Sequence, residues 1–121
     1  MSLASNIAIT IVALIHVYIL VLEMFLWDKP IGLRAFGQTK EAATASKVLA
    51  ANQGLYNGFL AAGLFLSLTQ GHDGFHLAIF FLTCVATAGI FGAVTLKPTT
   101  LLLQTVPGLA ALAAVWLARS T

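Results

Sequence analysis

Charge is the scarcest feature of this sequence: its 121 residues hold six Lys or Arg and four Asp or Glu, 8% in all, against 60% hydrophobic residues. A soluble domain of this length carries roughly a quarter of its residues as charges, so these few cannot clothe a water-facing surface. The composition is that of one integral membrane domain, with no room for a separate soluble catalytic domain or a dinucleotide-binding fold. Basic runs are absent too. The six cations are spread thinly between apolar stretches, so the net charge of +2 reflects the positive-inside rule and implies no nucleic-acid partner. Cys84 is the only cysteine, which excludes an internal disulfide and a cysteine metal cluster and leaves it as a small apolar side chain. No His-x-x-x-His pair occurs, His72-Asp73 with His76 reads as a solvated turn, and no two of His16, His72 and His76 share a depth. Neither a metal nor a haem or other cofactor is therefore expected. No Lys or Arg precedes the first apolar run, which is also longer than a signal core, so a span is expected there in place of a cleaved signal peptide.

What the chain has in abundance is apolar runs. An all-α fold of four transmembrane helices is expected over about residues 3–27, 46–69, 75–97 and 99–118, with an interfacial loop over 28–45. Asp28-Lys29-Pro30 stops the first helix, and Gly37-Gln38-Thr39 is a turn signal in which Thr39 can cap the second. Gln70-Gly71-His72-Asp73-Gly74 is a compact polar turn, and Lys97-Pro98 ends the third helix. Short connections make neighbouring helices antiparallel. Lys29, Arg34, Lys40, Lys47 and Lys97 flank one side and Arg119 the other, which places both termini outside the cytoplasm.

Against this background a few polar residues stand out. Glu23 alone among the charged residues lies inside an apolar run, where ionisation costs roughly 2.5–3.5 kcal/mol near mid-membrane; the alternative is that it snorkels to the headgroups beside Trp27. His16, seven residues earlier, shares its face at a distance of about 10 Å along the axis. On the second helix Asn52, Gln53, Tyr56 and Asn57 occupy a sector about 140° wide, opposite a small face containing Gly54 and Gly58. Counting from the helix ends puts Glu23 level with Asn52, Gln53, Gln104 and Thr95, and His16 level with Asn57. The expected picture is a polar funnel in which Glu23 is the acid or base, assisted by His16 or Tyr56. Asn52, Gln53, Asn57, Gln104 and Thr95 would orient a ligand's polar head. Pro107 removes a backbone donor near Gln104. A homodimer through Gly54 and Gly58 is compatible with the small face, which serves equally well within one chain.

The run Leu49–Gly63, containing Asn52-Gln53-Gly54-Leu55-Tyr56-Asn57-Gly58, together with His16, Glu23-Met24-Phe25 and Trp27, resembles the small bacterial membrane family catalogued as DUF1304. The likeness covers nearly the whole chain and implies a compact four-helix protein of the bacterial inner membrane. It brings no established activity or catalytic residues. A looser likeness, in layout alone, is to intramembrane sterol isomerases.

The expected function is an intramembrane enzyme or binding protein for a small lipophilic molecule, with proton transfer at Glu23. The alternative is a proton-coupled exporter resembling the small multidrug resistance family, which shares the length, the four helices and a membrane Glu in the first helix. Against it, Glu23 lies near one end of its helix, and the cation bias opposes dual insertion. A scaffold role, with the polar groups serving helix association only, is the third reading.

Overall fold

The computed structural model describes residues 1–119, in which no strand occurs. The elements are α1 (Leu3–Met24), α2 (Pro30–Phe36), α3 (Lys40–Ser67), α4 (Asp73–Thr95) and α5 (Val106–Ala118), the last preceded by a wider π-helical turn over Leu101–Thr105. Among the described residues three segments are long and apolar enough to cross a membrane: Leu3–Met24, Asp73–Thr95 and Leu101–Ala118. α3 is the longest helix at 28 residues, about 42 Å at 1.5 Å per residue, but it is the least apolar of the long ones. Lys40, Glu41 and Lys47 in its first turns and the amides Asn52, Gln53 and Asn57 further on are the cause.

Local chemistry sets the helix ends. Ser2 Oγ accepts from the Ser5 N–H at 3.1 Å, capping α1. Pro30 opens α2, where its missing N–H costs nothing. Gly37, at φ 62°, closes α2 in the left-handed region, and the Gln38 N–H bonds back to the Leu33 carbonyl at 3.0 Å. Thr39 then caps α3 through its hydroxyl, which accepts from the Ala42 N–H at 3.1 Å, as its position in the sequence indicated.

The boundaries differ from the sequence expectation in a consistent way. The interfacial loop expected over 28–45 holds α2 and the first turns of α3, which begins at Lys40 where 46 was expected. A proline start, a glycine stop and a threonine cap mark these helices locally, and packing of Phe36 on Trp27 adds to them. α1 ends at Met24 and not at 27, and α4 covers Asp73–Thr95 in place of 75–97. The helix expected over 99–118 does begin at Thr99, but over Leu101–Thr105 it widens to the π turn, whose last bond runs from the Val106 N–H to the Leu101 carbonyl. Pro107, without an N–H to continue the regular ladder, follows directly.

The chain forms two compact units: Met1–Ile15 with the chain from Leu60 onward, and His16–Phe59. The core of the first is Ile9, Val12 and Ala13 of α1, Leu64 of α3, Ala78, Leu82 and Val85 of α4, and Ala111 and Val115 of α5. Two polar crosslinks join α4 to the segment before α5: Thr105 Oγ1 donates to the Ala86 carbonyl at 3.0 Å, and Thr100 Oγ1 to the Gly89 carbonyl at 2.9 Å. Both need close approach of the backbones. A Cβ on Gly89 would stand 2.7 Å from the Thr105 nitrogen, so no larger residue fits there. The second unit carries the polar residues singled out above.

Candidate functional site

Glu23 lies in the last turn of α1 with only 8% of its surface exposed, and Asn57 of α3 is equally buried. Asn57 Nδ2 donates to Glu23 Oε1 at 2.6 Å and, less closely, to the Gln53 carbonyl at 3.2 Å. The second bond, to the residue four places back on its own helix, holds the amide so that it points at the carboxyl. Glycines make this pairing possible. A Cβ on Gly54 would fall 2.5 Å from Met24 Cγ and 3.2 Å from Glu23 Cβ, and one on Gly58 would fall 2.7 Å from Leu20 Cδ1. The Gly54-x-x-x-Gly58 face is thus filled by α1 of the same chain, which brings the helices close enough for a short side chain to reach across.

The other expected site residues are placed differently. His16 is fully buried. Asn52 and Gln53 are exposed, Asn52 donating to its own helix at the Val48 carbonyl at 2.9 Å. Tyr56 is 60% exposed and meets Phe59 edge-on at 6.0 Å. The polar sector on α3 is therefore divided: Asn57 faces Glu23, and the other three face outward. Glu23 packs beside Gly54, so Asn52 and Gln53 lie near it in depth but are turned away, and its carboxyl reaches Asn57 about one turn along α3. Thr95 and Gln104 belong to the other unit. Thr95 is exposed and donates to the Phe91 carbonyl at 2.7 Å, and Gln104 is half-buried.

A second cluster, not anticipated from the sequence, closes the helix end next to Glu23. Trp27 Nε1 donates to Ser46 Oγ at 3.0 Å while its ring packs on Phe36 at 4.8 Å. Lys47 Nζ pairs with Asp28 Oδ2 at 3.1 Å, and Lys40 Nζ donates to the Asp28 carbonyl at 2.8 Å. The Lys47 ammonium holds the Asp28 carboxyl below the usual carboxylate range, against the desolvation that pushes it up. Asp28 Oδ1 and Gln38 Oε1 are buried acceptors with no partner among the described residues. The signal that could have exposed this cluster is Trp27 itself, whose indole N–H needs an acceptor once buried.

Chemically, the Glu23–Asn57 pair is a carboxyl held by a neutral donor. Among the described residues the single ion pair is Lys47–Asp28, so no cation locks Glu23 in its charged form. A carboxyl in that setting can exchange a proton without breaking a salt bridge.

Over residues 10–116 the chain matches the family described as Protein of unknown function (DUF1304), the one that the Asn52–Gly58 run resembles. No curated protein and no solved structure matches it.

Proposed function

We propose, for a chain that belongs to the DUF1304 family, an integral membrane protein with a buried site for a small lipophilic molecule that exchanges a proton with Glu23. One observation carries this reading: the Asn57 amide 2.6 Å from a Glu23 carboxyl that is 8% exposed. Packing alone does not require a carboxyl at that position, since an apolar side chain would bury at lower cost. His16, buried about 10 Å away along α1, is the second proton partner, reached through the bound molecule or a bridging water. The unpartnered acceptors Asp28 Oδ1 and Gln38 Oε1 support a polar approach from the same helix end. In this reading α3 crosses the membrane with the three more apolar helices in an antiparallel bundle. Both termini are then non-cytoplasmic, since Lys29, Arg34, Lys40, Lys47 and Lys97 gather at the opposite ends.

Two measurements test it. In native mass spectrometry of gently solubilised protein, wild type is expected to retain a small apolar molecule that Glu23→Gln loses. Equal retention would remove the proton role, and no adduct in either, at equal stability, would remove the site. For the topology, a cysteine at Gln70 in a Cys84→Ser background is expected to react with an impermeant maleimide added outside intact cells. Labelling only after the membrane is breached would invert the orientation.

A further inference from the structure

The turn around His72 lines an open cleft of about 780 Å3, whose walls include His72, Asp73, Phe75, His76 and Arg119. α4 starts here and α5 ends here, and both belong to segments apolar enough to cross a membrane, so the cleft sits at the level of lipid headgroups. All of these residues belong to the unit that excludes Glu23 and Asn57.

The cation in this cleft is held in place. The Arg119 guanidinium lies 3.8 Å from the centroid of the Trp116 ring, Trp116 packs on Phe75 at 6.1 Å, and Phe75 meets His76 edge-on at 5.3 Å. Arg119 and Asp73 line the same cleft without pairing, for the Lys47–Asp28 bridge is the single ion pair among the described residues. Opposite charges that share a cleft and leave each other free suit a ligand that carries both signs. A metal does not account for them, because no three metal-ligating side chains converge among the described residues.

We propose that this cleft binds a phosphoethanolamine group, with its phosphate on Arg119, His72 and His76 and its ammonium on Asp73. The guanidinium fork matches two phosphate oxygens, and the imidazoles add neutral or charged donors. Asp73 repels a purely anionic headgroup and so selects the zwitterion. The group can come from a bilayer phosphatidylethanolamine or from free phosphoethanolamine.

The test is native mass spectrometry of the full chain in detergent, titrated with dioleoyl phosphatidylethanolamine, with dioleoyl phosphatidylglycerol and with free phosphoethanolamine. Wild type is expected to retain the ethanolamine lipid over the glycerol lipid. Arg119→Gln is expected to lower retention of both about fivefold, and Arg119→Lys to restore part of it. Asp73→Asn is expected to erase the preference between the two lipids. Circular dichroism of each variant establishes that its helices are intact. Displacement of the lipid by free phosphoethanolamine would mean that the headgroup alone suffices, and no displacement would make the lipid the ligand. Unchanged retention in a folded Arg119→Gln, or a wild type that prefers the glycerol lipid, would overturn the proposal.

Discussion

Gly89→Leu is expected to lose about 2–6 kcal/mol of stability, the sum of overpacking and two broken hydrogen bonds. The first atom of the new side chain would stand 2.7 Å from the Thr105 backbone nitrogen and 2.9 Å from Gln104 Cβ. Backbone cannot rotate aside as a flexible side chain can, so α4 and the π turn must separate. Separation breaks Thr105 Oγ1 from the Ala86 carbonyl and Thr100 Oγ1 from the Gly89 carbonyl. Ala88→Leu, next in sequence but exposed, is expected to change little. Thermal unfolding of both variants in detergent makes the comparison, and a Gly89→Leu that melts with wild type would show that the contact between α4 and the π turn is dispensable.

Asn57→Leu is expected to cost about 1.5–3 kcal/mol, the range for a buried hydrogen bond to a carboxylate, because it strands Glu23 without a donor. Glu23→Gln keeps an acceptor oxygen for the Asn57 amide and is expected to unfold close to wild type. Replacing both residues by leucine removes donor and acceptor together and is expected to recover most of the loss. A double-mutant cycle on reversible unfolding gives the coupling directly, and strictly additive effects would mean that the two groups do not interact. This result also sharpens the ligand experiment: if Glu23→Gln is as stable as wild type, any loss of a retained molecule belongs to the proton and not to the fold.

The lessons of the sequence were local ones. Too few charges for a water-facing surface, the anomaly of Glu23, the cap at Thr39 and the stop at Gly37 are all legible from composition and from neighbours a few residues apart. Depth counted from apolar boundaries was less secure. α3 begins at Lys40, well before its apolar stretch, and α1 ends at Met24 before the charges that were expected to end it. The two ends moved by about 0.8 turn for α1 and about 1.7 turns for α3.

By itself, then, the sequence determined an all-helical chain with segments suited to a bilayer and a carboxyl that demands an explanation, because those properties follow from solvation and short-range backbone chemistry. Only the tertiary structure decided which donor meets that carboxyl. On a helical wheel Asn57 sits roughly 60° from Gly54, at the edge of the polar sector, whereas Asn52 lies roughly 160° away. Close packing of Gly54 and Gly58 on Leu20, Glu23 and Met24 turned that edge inward and left Asn52, Gln53 and Tyr56 outside. The rotation of one helix against another is set by the shapes of both surfaces in contact, and a single strand of sequence carries each surface without the contact.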